Sequence, residues 1–499
     1  MGSGGSPSPP EQLTGRIAAA PNALLDEYVL GPQFVYEAAH LVPAYVAVER
    51  ALAAEARRIG ALPADQADAV DAALASIDPD DLQPHRGGNF SDMAFAIEQA
   101  VQQRLSVPAP LWHVDRSRND LQATAQRWYG RERIRTTAGL LLRVAGGLLD
   151  RAGQHLDDPM PGQTHLQAAQ VISPGFVLSA FAAELLDSQR RLRAAYREVD
   201  LCPLGAGAMA GSELPWDRSR LAAALGFSGP VPHALSAVAS RGWVLAAAGA
   251  LSDLGVVVSR FVTDLMAWSS GAYQWMSLPD ELAGISSAMP QKKNFPVLER
   301  IRGRSGHLTA GYLDVAVGQR NTSYTNLVEV SKEASASLPQ LWWNAESMLL
   351  LLDLVIRQLE FDTAAMRRAC DDDFLGGFAL ANGLALQFGL PWRTAQVVAG
   401  KYIVACLESG QRGPDVELLR GLIHAHRDSG GGAAAEPSTA DVLELLRQTR
   451  DTDAALAAKI TAGGTSPASM WALLNELDRD RTEAVRWWDR AAPSAGGAR

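Results

Sequence analysis

Between Gly284 and Ser305 the chain reads Gly-Ile-Ser-Ser-Ala-Met-Pro-Gln-Lys-Lys-Asn-Phe-Pro-Val-Leu-Glu-Arg-Ile-Arg-Gly-Arg-Ser. Two adjacent hydroxyls, Ser286 and Ser287, stand before a Met-Pro turn; Lys292, Lys293 and Asn294 follow it, then a helix-compatible run. That order suits the removal of a proton from a carbon beside a carboxylate. A serine serves as base only where cations or backbone N–H groups hold its alkoxide. Two lysines and an amide are close enough in sequence to do so, and the start of the following helix adds positive potential. A plain polar loop between helices would explain a proline and two lysines, but not the whole order.

Three more segments carry chemistry-bearing side chains: His113-Val-Asp-Arg-Ser-Arg-Asn-Asp120, Gly162-Gln-Thr-His-Leu-Gln-Ala-Ala-Gln170, and Pro203-Leu-Gly-Ala-Gly-Ala-Met-Ala-Gly211, the last followed by Asp217-Arg218. Taken singly, each has an ordinary structural reading. His165 after Thr164 could cap a helix, Arg116 and Arg118 could be surface ion pairs of little energetic worth, and Tyr324 an interfacial ring. Together, and in this order, the four segments resemble the argininosuccinate lyase branch of the fumarase/aspartase superfamily. The first resembles that family's Gly-Ser-Ser-x-Met-Pro-x-Lys-x-Asn-Pro loop; recognisable similarity covers most of residues 30–410.

The resemblance implies elimination of fumarate from a succinyl group by cleavage of a carbon–nitrogen bond. Ser286 matches the family's catalytic base, and Lys292 and Asn294 the groups that hold the substrate carboxylate and stabilise developing charge. Ser117, Arg118 and Asn119 fall in the carboxylate-binding loop, and Thr164 serves likewise beside His165. His165 matches the histidine of proton transfer and Glu299 its carboxylate partner, which would raise the imidazole pKa and fix its tautomer. Arg241, Tyr324 and Lys332 match further substrate contacts. The residue that protonates the leaving nitrogen stays open.

Departures from the family pattern concern the amine half of the substrate. An Asn-Ala-Ser-Ile segment is expected near Glu27-Tyr-Val-Leu-Gly31, which has neither its serine nor the aspartate after it. A Glu-Asp-Val-His segment becomes Ser91-Asp92-Met93-Ala94, and Glu329 and Ser331 replace a glutamine and an aspartate before Lys332. Polar sites discriminate strongly against mismatched ligands, so these changes imply an altered leaving group. In the loop itself, Ile285 replaces glycine and Phe295 replaces proline; isoleucine resists backbone angles that glycine permits.

Helices must position all of this. Ala/Leu/Arg/Glu-rich segments dominate and alternating strands are nearly absent, so the fold class is all-α. Ser173 is a plausible N-cap and Pro174 a first helical residue for a helix to Val199. Its apolar stripe is Val177, Phe181, Leu185, Leu192, Tyr196 and Val199, with Glu184, Asp187, Gln189 and Arg190 largely off it. Trp243–Met266 is apolar on nearly every face and predicts burial on all sides; Leu341–Val355 is similar but interrupted. Such helices exceed the needs of one subunit and favour an oligomer.

At 499 residues, two to four domains are expected. The resemblance implies a fumarase/aspartase-like arrangement of three helical domains with a long central bundle, and a homotetramer with composite active sites. Expected boundaries are a disordered tail at 1–20, an N-terminal helical domain at 21–110, a central bundle carrying the signature loop at 111–360, a C-terminal helical domain at 361–490 and a tail at 491–499. Asp428–Ser438 reads as a loop.

A net charge of −10 disfavours nucleic acid and anionic membranes as partners. The expected partner is a small dicarboxylate substrate. Three scattered cysteines, Cys202, Cys370 and Cys406, suggest buried thiols in a reducing compartment, not disulfides or zinc. Met1–Pro10 lacks the apolar region of a signal peptide, and Asp253 and Arg260 break the most apolar run, so the chain is expected to be cytoplasmic, with no membrane span. His424-Ala-His426 lacks matching ligands and reads as surface; no nucleotide motif precedes a strand, so no metal or cofactor is expected. Two other readings stay open: a specialised-metabolism lyase acting on a different N-substituted aspartate, and a non-catalytic helical oligomer of the same fold.

Overall fold

The computed structural model describes residues 20–84, 92–411, 413–427 and 437–491. Ser91, almost all of the expected N-terminal tail, most of the Asp428–Ser438 loop and most of the C-terminal tail lie outside these residues.

Helices α1 (Gly31–His40), α2 (Val42–Arg58), α3 (Ala64–Ala75) and α4 (Met93–Arg104) form an N-terminal group. Phe34, Tyr45, Val48, Leu52, Leu74 and Ile97 fill its core. Pro32 and Pro43 sit in the first turns of α1 and α2, where a missing N–H costs nothing. The Asp92 side chain caps α4 by accepting from the Phe95 N–H at 3.1 Å.

The long helix α5 (Arg118–Gln154) follows, 37 residues and about 55 Å from end to end. A hairpin of β1 (Met160–Thr164) and β2 (Gln167–Ile172) turns the chain into α6 (Pro174–Val199), which runs back along α5. Its start is as the sequence predicts: the Ser173 hydroxyl accepts from the Phe176 N–H at 3.1 Å, with Pro174 next. Phe181, Leu185, Leu192, Tyr196 and Val199 are buried, while Val177 is only partly so. Gln189, read as off the stripe, is buried as well; an amide can lie in a helix–helix seam that the period alone does not separate from the core.

Helix α7 (Gly242–Trp268) packs on α6 and, antiparallel, on α8 (Pro296–Gln319); α9 (Leu338–Gln358) closes the bundle against α5 and α8. Between α7 and α8 a short ribbon pairs β3 (Gly284–Ile285) with β4 (Lys293–Asn294). Close approach of α7 to α8 needs glycine: a Cβ on Gly255 would stand 2.6 Å from the Ser305 carbonyl oxygen. Helices α10 (Gly377–Leu386), α11 (Trp392–Ser409) and α12 (Thr439–Arg450) build a third core around Leu384, Val398, Tyr402 and Leu445. The last helix, α13 (Pro467–Arg490), returns to the central bundle through Met470, Leu474 and Trp488.

Burial of α7 on all sides is not met within one chain. Although long and apolar enough to cross a membrane, α7 has half of its most apolar window buried in the protein. Val256 is exposed on it, as are Leu313 and Val317 on α8 and Trp343 and Leu350 on α9. Full burial of such faces needs other molecules. All three cysteines are buried and free.

Candidate active site

At the start of α5, two aspartates organise the surroundings. Asp115 holds a left-handed backbone (φ 58°), and its carboxylate accepts from the N–H groups of Glu213 at 3.0 Å and Leu214 at 2.7 Å and from the Trp216 indole at 2.9 Å. Asp120 is buried and accepts from the N–H groups of Gly205 at 2.9 Å and Gly207 at 3.0 Å. Both glycines have positive φ, 79° and 63°, which explains the glycines in the Pro203–Gly211 turn. Burial lifts the Asp120 carboxyl to about 6 despite those donors. The two acids clamp the 203–216 loop onto α5. Sequence reasoning quoted both within a motif and gave neither a task; the signal was an acid opposite an offset pair of glycines.

On this platform the Ser117 hydroxyl caps α5, accepting from the Asn119 N–H at 3.2 Å, and the Asn119 amide donates to the Ala208 carbonyl at 3.0 Å. Arg118 pairs with Asp92 and lies 4.7 Å from the Phe95 ring centre. Arg116 is no surface pair: it is buried with Glu49 at 2.5 Å. Serine, arginine and asparagine thus stand together at a helix N-terminus, where positive potential favours an anion.

Arg241, Tyr324 and Lys332 belong to the same end of the bundle. Arg241 is buried at the start of α7; its Nε donates to Gln126 of α5 at 3.0 Å and its Nη1 to the carbonyls of Val238 and Ser240. Its Nη2 is buried without a partner, and burial pushes the guanidinium down to about 10. The Gln126 amide donates in turn to the Ser331 carbonyl at 2.8 Å. The Tyr324 hydroxyl bonds Ser236 at 3.1 Å, and Lys332 is paired with the buried Glu37 of α1. No motif assigns Glu37 a role.

Thr164, His165, Ser286, Lys292, Asn294 and Glu299 lie at the opposite end. Two antiparallel pairings fix this: α6 returns from the β1–β2 hairpin to the 203–216 loop, and Ser252 of α7 bonds Thr309 of α8 at 3.1 Å. His165 and Leu166 form the two-residue turn after Thr164, with φ of 55° and 61°. That turn ordinarily takes asparagine and glycine, so two larger residues there store strain. His165 is exposed, with no hydrogen bond among the described residues, and its pairing with Glu299 is not made within the chain.

The signature segment is the β3–β4 ribbon and its connecting loop. The Ser286 hydroxyl accepts from the Met289 N–H at 3.1 Å, and the Asn294 amide reaches the Gly284 carbonyl at 3.4 Å. Lys293, named with Lys292 as a candidate cation for the serine, instead bonds Asp280 at 2.8 Å. Lys292 makes no ion pair among the described residues. Glu299 stands exposed in the first turn of α8, and Ile285 is 96% exposed. Among the described residues, no group of three or more His, Cys, Asp or Glu side chains is placed to hold a metal.

Comparisons with known proteins bear on the family and the fold. The profile of a family described as Lyase matches residues 33–309. An argininosuccinate lyase from Synechococcus sp. (strain JA-3-3Ab) is 34% identical over 334 residues, 66% of this chain and 67% of that protein. One from Geobacillus sp. (strain WCH70) is 30% identical over 361 residues, 71% and 77%. Among solved structures, EDDS lyase in complex with formate superposes with TM-score 0.80 at 23% identity, covering 95% of this chain and 93% of that one. A class II fumarase from Schistosoma mansoni gives 0.67 at 14%, covering 88% and 99%. These two likenesses establish a shared all-α fold.

Proposed function

The chain belongs to the lyase family, on the argininosuccinate lyase branch of the fumarase/aspartase superfamily, and from that premise we propose how it eliminates fumarate from an N-succinyl (aspartate-derived) adduct. The observation that carries the proposal is the Ser286 hydroxyl, which accepts a backbone N–H at 3.1 Å in the loop that also carries Lys292, a lysine with no ion pair among the described residues. An N–H donor and an ammonium group favour the alkoxide over the alcohol.

Ser286 removes the proton from the carbon beside the substrate carboxylate. The charge moves onto that carboxylate, where Lys292 and Asn294 stabilise it. Ser117, Arg118, Asn119 and Thr164 hold the dicarboxylate, with Arg241, Tyr324 and Lys332 lining the remainder. The carbon–nitrogen bond then breaks, its electron pair going to nitrogen. Nitrogen takes up a proton with help from His165, oriented by Glu299, and fumarate and a neutral amine leave.

The two ends of α5 are about 55 Å apart, so one chain cannot gather these groups. We therefore assign an oligomer, a homotetramer on the family resemblance, in which opposite ends of neighbouring chains meet; the chain's three buried, free cysteines fit the reducing cytoplasm. The exposed apolar faces of α7, α8 and α9 support this assignment.

The test is fumarate absorbance on incubation with argininosuccinate and other N-substituted aspartates. Ser286→Ala is expected to lower turnover by roughly 10²–10⁴-fold with folding intact. A folded oligomer that releases no fumarate from any adduct would sink the reading. It would leave a non-catalytic oligomer, which an absent melting shift with succinate would support. A second reading, an amine product other than arginine, is favoured by Tyr28, Val29, Glu329 and Ser331 standing where the branch pattern differs.

A further inference from the structure

A cavity of about 410 Å³ opens between α1, α5 and the start of α9, a size that suits a small organic molecule. Four aromatic side chains, Tyr36, Tyr129, Trp243 and Trp342, contribute to its walls, and Tyr28 and Val29 stand at its exposed mouth. On α5, Gln126 of this cavity lies two turns from Asn119, about 10 Å along the axis, so the cavity adjoins the proposed carboxylate seat.

The charged groups of the interior, Lys332 and Glu37, are already paired with each other, while the Ser335 hydroxyl and the Trp243 indole N–H are buried without a partner. Lys332 is paired with Glu37, and the Gln33 amide also donates to that carboxylate at 3.2 Å. Gln126 uses its oxygen on Arg241 and its nitrogen on the Ser331 carbonyl. Glu333 is exposed at the rim. Burial raises the Tyr36 phenol above its ordinary range, which keeps it uncharged. A guanidinium or a second carboxylate entering here must compete for the Lys332–Glu37 pair or trade its water for uncharged partners such as the Ser335 hydroxyl and the Trp243 indole, and either is costly. An uncharged ring leaves the pair intact and gains the aromatic walls.

We propose that this cavity seats the amine half of the substrate and selects an uncharged apolar or aromatic amine, so that an N-aralkyl aspartate is preferred over argininosuccinate. The inference rests on the fumarate-releasing reading above. Its chemistry is the same: the carbon–nitrogen bond breaks, nitrogen keeps the pair and gains a proton, and fumarate leaves with the amine.

The test compares kcat/KM of the full chain for N-benzylaspartate and argininosuccinate, with melting shifts from benzylamine and from arginine as a second readout. The expected result is a preference of about tenfold or more for the benzyl adduct, with stabilisation by benzylamine and not by arginine. Glu37→Gln, which frees Lys332, is expected to shift the preference toward amines bearing a carboxylate. Equal or better turnover of argininosuccinate overturns the inference while leaving the lyase reading intact. Failure of both adducts and of every other N-substituted aspartate, with a benzylamine melting shift retained, sinks the lyase reading and leaves the cavity's selectivity standing. Failure of both with no shift overturns the inference too.

Discussion

Asp120 shows how one side chain governs a site it does not enter. Its carboxylate holds the Gly205 and Gly207 N–H groups, and burial lifts its pKa from 3.8 to about 6. For an acid raised in the folded state, the folded protein binds more protons than the unfolded chain between those two values. Stability therefore falls as pH rises through that window, by an amount on the order of 3 kcal/mol, and levels off above it. Asp120→Asn keeps an acceptor oxygen but no charge, so thermal melts from pH 4 to pH 7 are expected to lose this slope. An unchanged slope would assign it to another group. Ser286→Ala acts at the same scale but in the opposite sense, on turnover and not on stability, since the serine bonds only within its own loop.

Hairpins, not helices, carry the strained chemistry. The His165–Leu166 turn has left-handed angles at two residues that dislike them, and Leu166 is exposed, so its side chain returns little by burial. Leu166→Gly is expected to stabilise the protein by about 1 kcal/mol in urea titrations. A loss of stability would mean that Leu166 is packed against a neighbouring chain. The β3–β4 ribbon differs: its ends are fixed by pairing, and the Met289 N–H to Ser286 bond orders its loop. Here Ile285 points into solvent, so the replacement of glycine does not crowd the loop's base within one chain.

At the scale of the molecule, the candidate groups fall into two sets at opposite ends of a 37-residue helix. On the proposed assignment of these groups, a working site needs at least two chains, and the bare faces around Val256, Leu313 and Trp343 are the surfaces it would use. Ser286→Ala and Arg118→Ala proteins, each nearly inactive alone, are expected to recover part of the activity once unfolded together and refolded. Mixed oligomers then contain some sites with both residues intact. No recovery, with mixed oligomers demonstrated by sedimentation, would mean that both residues serve from the same chain. In the proposed assembly, Leu313→Glu is expected to shift the protein toward smaller species, by placing a charge on an exposed apolar face.

The amino-acid sequence by itself determined the helical class, the Ser173 cap, the four motifs and the lyase family, because these depend on local spacing and on residue order. It also carried the glycines of the 203–211 turn, whose need for positive φ is a property of the residue. What it did not carry was pairing across long distances. Only the tertiary structure decided that Lys293 goes to Asp280, that Arg116 is buried against Glu49, and that Lys332 is held by Glu37. Charges choose partners by proximity in space, and α5 both separates successive motifs, such as those of Asn119 and His165, and joins residues far apart in sequence, such as Gln126 and Ser331.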